Sequence, residues 1–147
     1  MKFRFLTQQF YDDFKHCDQI LIKEKRPYTF VLLDIGNVLV AIPLRSNITH
    51  KFGMTTPNTT GGLDFSKSVI ITDSKKYIEA RTSPVVRKED FNFLKGKEYF
   101  LKQRLETFIE TYKKKAFQKN SSLSQMCSLQ YFHKELGIGT IPEETEE

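Results

Sequence analysis

The sequence predicts an α+β fold: a compact, curled antiparallel β-sheet or barrel with flanking helices and a helical last third. Three observations carry this expectation. Residues 28–35 and 38–44 are two apolar runs around Gly36-Asn37, a pair suited to the positive φ of a two-residue hairpin turn. Residues 97–119 repeat apolar side chains (Phe100, Leu101, Leu105, Phe108, Ile109, Tyr112 and Ala116) at intervals of three and four. The chain runs from a strand and helix to a strand-rich middle and then to helices, so element types are segregated rather than alternated.

Each element has a local reason. Residues 2–6 alternate Lys, Phe, Arg, Phe, Leu, which puts Phe3 and Phe5 on one face of a short strand. Thr7 is the N-cap of a helix expected to reach Cys17, with Phe10, Phe14 and Cys17 on one face. Residues 23–27 are a charged break. The hairpin strands are apolar along most of their length, which predicts a central position packed on both faces. Pro43 falls near the end of the second strand, where a missing N–H does least damage. Residues 45–64 read as irregular, and so long a loop inside a compact domain is usually functional. Residues 66–72 read as a strand and 77–81 as a further one. Residues 88–94 form a short helix ended by Gly96. Ser122 and Gln125 resemble a capping box for a last helix to Leu136, stopped by Gly137. Residues 1–139 are one expected domain, and residues 140–147 an acidic, disordered tail.

The chain has 147 residues, enough for one domain with a sizeable core. Hydrophobic residues make up 39% and aromatic residues 13%, which excludes a chain disordered throughout. The net charge is +5, but four of the 18 acids are Glu143, Glu144, Glu146 and Glu147. Without them, 23 bases face 14 acids, and residues 1–142 carry +9. A basic body with an acidic end fits an anionic partner, and equally fits ordinary solubility charge. Cys17 and Cys127 make no zinc pattern, and His16, His50 and His133 are scattered. No cofactor and no metal are expected. No apolar run suits a signal peptide or a membrane span, so the expected location is the cytoplasm.

P-loops, dinucleotide glycine fingerprints and nucleophile elbows are absent. The densest candidate is the polar segment that follows the second hairpin strand. Arg45 can grip a phosphate with its planar fork. Ser46 and Asn47 can donate hydrogen bonds to developing oxyanion charge. His50 titrates near neutral pH and can move a proton, and Lys51 adds fixed charge. These groups suit RNA strand cleavage by attack of the ribose 2′-OH on the adjacent phosphorus, which needs no metal. The same spacing is also what a solvated surface loop would show. Gly61-Gly62 would let backbone approach a ligand, and Lys67 would point to the same rim. Tyr11, Phe10, Tyr28 and Phe52 are candidate surfaces for stacking bases. Lys113, Lys114, Lys115 and Lys119 can track a nucleic-acid backbone.

At these segments the sequence resembles the toxins of type III toxin–antitoxin systems, the ToxN, AbiQ, CptN and TenpN group. The opening Met-Lys-Phe-Arg-Phe-Leu-Thr with Phe10-Tyr11-Asp12-Asp13-Phe14 is similar to their first strand and helix. Ala41-Ile-Pro-Leu-Arg-Ser-Asn47 resembles the strand and loop around their functional serine. Residues 62–71 resemble a block of the TenpN and CptN branches. The resemblance covers residues 1–81, and the helical third only by architecture. It implies a barrel-like sheet similar to the MazF and Kid toxins, and a sequence-selective, metal-independent endoribonuclease leaving a 2′,3′-cyclic phosphate. It also implies a small, repeat-derived RNA antitoxin, expected as a pseudoknot, in a closed toxin–RNA hetero-oligomer. Cellular and phage RNA would be the substrates, and growth arrest and phage defence the role. Ser46 matches the family serine. Arg45 stands where ToxN has Thr, and Ile48 where ToxN has Lys, which leaves Lys51 or Lys67 to replace that lysine in space. The first-helix aromatic of ToxN falls at Phe10, beside Tyr11. Outside this resemblance, a non-catalytic RNA-binding module or a protein-binding regulator would account for the same basic surface. Ser46→Ala and His50→Ala are both expected to abolish cleavage with little change in thermal unfolding.

Overall fold

A computed structural model describes residues 1–22, 27–57 and 59–139. The charged break at 23–26 and the acidic tail at 140–147 lie outside the described residues. The strands are β1 (Lys2–Arg4), β2 (Phe30–Ile35), β3 (Val38–Arg45), β4 (Gly53–Thr55), β5 (Gly62–Asp64) and β6 (Val69–Ile71). The helices are α1 (Gln8–Asp13), α2 (Ser74–Tyr77), α3 (Lys88–Leu94), α4 (Glu98–Lys115) and α5 (Ser122–Met126). The fold is the expected α+β, with an antiparallel six-stranded sheet that stays open.

Strand β3 is the hub. One edge pairs with the whole of β2, from Val38↔Ile35 to Pro43↔Phe30. The other edge is shared: Leu39–Ala41 pair with β6, and Leu44–Arg45 pair with β5. The sheet order is β1-β2-β3-β5-β4, with β6 branching from β3. Pro43 lies where β3 changes partner. The Leu44 N–H points to β2, bonding Thr29 O at 2.8 Å. Alternation would point a residue-43 N–H the other way, into the gap between β6 and β5. A proline costs no ladder hydrogen bond there.

The expected hairpin forms, with Gly36 at φ 61°. Helix α4 presents Leu101, Leu105, Phe108, Ile109 and Tyr112 to the core, while Phe100 turns outward. Phe108 meets Phe52 and Phe65 at ring distances of 6.0 and 5.9 Å, which joins the helix to the β4–β5 region. Gly96 (φ 77°) and Gly137 (φ 70°) stand at the expected breaks.

Five local expectations change. Helix α1 stops at Asp13, since Phe14 leaves helical geometry to stack on Phe10 at 4.7 Å. Asp64 caps a 3-10 turn over Phe65–Lys67, so the following strand begins only at Val69. Residues 74–77 are helical under an Asp73 cap, and Ile78 makes an isolated bridge to Leu6 in place of a strand. The last helix is α5, capped by Ser121 rather than Ser122, and a 3-10 turn (Ser128–Tyr131) follows it. The stretch read as irregular, 45–64, contains β4 and β5 and folds onto the end of β3.

Candidate functional site

The polar end of β3 is built around a buried carboxylate. Asp64, the last residue of β5, has no solvent exposure. Its oxygens accept from Arg45 Nη1 at 2.7 Å, Ser66 N at 3.0 Å and Ser66 Oγ at 2.6 Å. His50 Nε2 lies 3.3 Å from both of them. A buried anion is tolerable only with such partners, and the permanently charged guanidinium supplies the counter-charge. Arg45 is therefore held by its anchor, with the rest of its donor fork free of Asp64.

His50 is oriented from both sides. Its Nδ1 accepts the Phe52 N–H at 3.0 Å, so in the neutral ring the proton sits on Nε2, facing Asp64 and Ser66 Oγ at 3.3 Å each. Both ring nitrogens are thereby engaged inside the protein. This differs from the expectation of a proton-moving His50 on an open rim. The ring braces the loop, because its lone pair is used by a backbone amide.

The 46–52 loop is tied to the strand opposite. Ile48 is buried, and its N–H bonds Thr60 O at 2.7 Å. Thr60 Oγ1 donates to Ser46 O at 3.3 Å. Ser46 and Asn47 are exposed, and their side chains bond no other described residue. Gly61 and Gly62 serve strand packing here. A Cβ on Gly61 would stand 2.9 Å from Arg45 O, and one on Gly62 (φ 153°) would collide with the Met54 carbonyl. Their small size lets β5 thread between β3 and β4.

Arg45 and Ser46 open onto a groove of about 1270 Å³. Thr59, Thr60 and Gly61 line one side of it, and Phe5, Tyr28 and Thr29 another. Val85, Val86 and Arg87 close the wall, with Arg87 in a two-point pair to Asp90 at 3.0 and 3.2 Å. A cation, several hydroxyls and two aromatics around one trough can hold a phosphodiester chain with its bases stacked.

The remaining candidates stand elsewhere. Phe10 and Tyr11 are buried, at 0% and 6% exposure, Phe10 against Phe14 and Tyr77 and Tyr11 edge-on to Phe10; they are core residues and offer no face to a base. Lys67 turns away from the rim expected for it. Its amine donates to Gln19 Oε1 at 2.9 Å and Met126 O at 2.8 Å, and burial holds it below the ordinary lysine range. Lys51 is exposed next to Phe52. Lys113 lines a different pocket with Asn37 and Val38, at the start of β3, and pairs with Glu110 at 3.5 Å. Lys114, Lys115 and Lys119 follow it, exposed. Val38 and Arg45 are the two ends of the eight-residue β3, seven steps of ~3.3 Å apart. Among the described residues, no three His, Cys, Asp or Glu side chains converge as a metal site, and no helix is long and apolar enough to cross a membrane.

Asp64 and Ser66 are the members of the cluster around Arg45 that the sequence reading did not single out. The signal was present: an acid inside Leu-Asp-Phe, two residues before a serine, is the pattern of a side-chain-capped turn.

The fold and groove define an α+β protein with an open antiparallel sheet and a polar, arginine-bearing trough at one sheet edge. No protein-family model matches the chain, and no curated protein sequence matches it significantly. It is similar to a chain of a solved structure described as "A processed non-coding RNA regulates a bacterial antiviral system". The TM-score is 0.60 and the identity 14%, over 90% of this chain and 98% of that one. At that identity the likeness is one of fold.

Proposed function

We propose that this chain is a metal-independent endoribonuclease toxin of a type III toxin–antitoxin system, inhibited by a repeat-derived RNA and acting in phage defence. The observation that carries the proposal is at the groove mouth: an exposed Ser46 follows Arg45 in the chain, both line the groove, and the Arg45 guanidinium is anchored on buried Asp64. The shared fold and the resemblance around Ser46 support it.

In this mechanism the groove holds a phosphodiester with its phosphate against Arg45. Ser46 and Asn47 donate to the phosphoryl oxygens as the 2′-oxygen attacks phosphorus. The P–O5′ bond breaks, giving a 2′,3′-cyclic phosphate and a 5′-OH. The 2′-OH loses one proton, and the 5′-oxygen gains one. Orientation and fixed charge supply the catalysis, since both nitrogens of His50 face inward. His50 and Asp64 are positioning residues. Lys67 braces the fold from below.

The test is incubation of the purified chain with RNA in EDTA and analysis of the ends. Cyclic phosphate ends that disappear in Ser46→Ala support the proposal. Ser46 is exposed, so the variant should unfold within ~0.5 kcal/mol of the parent while cleavage falls by about 10²–10³. One observation favours a second reading, a non-catalytic RNA-binding module. The ionisable side chains among the described groove residues are two arginines, Tyr28 and an Asp90 tied to Arg87. RNA retention without cut ends would select that reading.

A further inference from the structure

Two aromatic rings on α4 face solvent: Phe100, which the apolar spacing places in the core stripe, and Tyr99, which lies on the opposite face of the helix. Tyr99 is 74% exposed and Phe100 46%, while Leu101 and Leu105 beside them are fully buried. Exposed aromatics on a charged helix face mark a partner surface. The sequence places both Phe100 and Leu101 in the core stripe; Leu101 is buried there, and Phe100 is not.

These rings are joined to the groove loop by a continuous line of contacts. The His50 ring lies 5.7 Å from Phe52, and Lys51 Nζ stands 5.7 Å from the centre of the Phe52 ring. The next residue, Gly53, accepts from Arg104 Nη2 at 3.3 Å. The Arg104 guanidinium lies 5.7 Å from the Phe100 ring centre. One helical turn around, Gln103 Nε2 donates to the Tyr99 hydroxyl at 2.9 Å. Cations and π-faces thus alternate from Lys51 to Phe100, with Tyr99 the next residue toward the helix start. Between Lys97 and Arg104 the chain has three cations and one acid, and that acid, Glu98, is already paired with the N-terminal amine at 3.0 Å and Lys102 at 3.6 Å. The uncompensated charge is positive, which suits a polyanion rather than an apolar protein surface.

We propose that Tyr99, Phe100 and Arg104 form a second binding platform, for unpaired bases of an RNA strand that leaves the groove past Lys51 and Phe52. Bases stack on the two rings and on the guanidinium plane, and Arg104 and Lys51 neutralise phosphates between them. The inference rests on RNA as the partner of the groove. It adds a direction: the strand crosses the first half of α4, not the lysine run at its other end.

The experiment uses a 2′-O-methyl oligonucleotide of about 12 residues, which lacks the nucleophile and stays intact, with 2-aminopurine placed near one end. Binding is followed by anisotropy and stacking by 2-aminopurine quenching. Phe100→Ala and Tyr99→Ala should each weaken binding by about tenfold and reduce quenching. Phe100→Leu keeps apolar volume but removes the π-face, and should behave as Phe100→Ala does; thermal unfolding of each variant checks the fold. Arg104→Gln should lower the slope of log affinity against log salt by about one. If the parent binds and all four variants bind as tightly with equal quenching, the platform is overturned while RNA in the groove stands. If Phe100→Leu binds like the parent, stacking is overturned. If the parent retains no oligonucleotide at low salt, both proposals fail, and a protein partner for these rings takes their place.

Discussion

Asp64 organises the polar end of β3 because a buried carboxylate must be met by donors, and here they come from three separate segments. Asp64→Asn keeps the shape but removes the charge opposite Arg45 and sets an amide N–H among donors. Breaking a buried pair costs about 3–5 kcal/mol, and the 28% exposure of the Arg45 side chain places the loss at the lower end. Chemical denaturation of the variant should show it, together with weaker RNA retention as Arg45 loses its orientation. His50→Ala separates bracing from proton transfer. With the Phe52 N–H and Asp64 each short of a partner, the melting temperature should fall, and the pH profile of any residual cleavage should keep the parent's shape. An altered acid limb would restore His50 as the base. Sequence reasoning ranked Ser46, Arg45 and His50 together because they are neighbours in the chain. It had no means of seeing that two of them turn inward to the same carboxylate 14 to 19 positions away.

At the scale of elements, tight backbone approach decides the site's shape. β5 passes between β3 and β4 only because Gly61 and Gly62 lack side chains. Gly62→Ala would place a methyl against the Met54 carbonyl at a φ that other residues avoid. A loss of at least ~2 kcal/mol is expected, with calorimetry as the check and RNA binding falling in parallel. The junction of α4 with the C-terminal turns has a pH signature. The Tyr112 hydroxyl and His133 Nε2 are 2.7 Å apart, and burial holds the His133 imidazole below its ordinary range. The folded state resists the proton that the unfolded chain accepts near pH ~6.5. Stability from this group is therefore complete above that value and declines as pH falls through it, until the folded ring also titrates. Melting temperatures at pH 7.5 and 5.0 should drop more for the parent than for His133→Gln. The hairpin and α4 were legible because their periodicity is strong and long. β4, β5 and the Asp64-capped turn were not, because three-residue elements have too little pattern to register.

At the scale of the whole molecule, candidate RNA-binding cations among the described residues stand at both ends of β3. The groove end has Arg45, Arg87 and Lys51, and the hairpin end has Lys113 and the lysines after it. An oligonucleotide of about three residues seated in the groove is too short to span the ~23 Å between them, whereas a larger folded RNA can. Replacing Lys113, Lys114 and Lys115 by Gln should leave three-residue affinity unchanged and weaken binding of a long structured RNA, with a shallower salt slope for the long RNA alone. Equal losses for both lengths would place the lysines in the groove's own field.

The sequence by itself determined the α+β class, the central hairpin with its glycine turn, the core stripe of α4, the Thr7 cap and the polar segment that ends β3. These follow from spacing along a few neighbouring residues, where local sterics and amphipathic period are decisive. Only the tertiary structure decided that Phe10 and Tyr11 are core, that Phe100 is surface, that Lys67 braces a loop and that Asp64 anchors Arg45 and His50. The reason is physical: whether a ring or charge meets water depends on segments far away in the chain, and periodicity holds no record of them. The positive charge noted in the sequence thereby acquires positions: Arg45 at the groove mouth, and Lys51 and Arg104 along the strip leading from it.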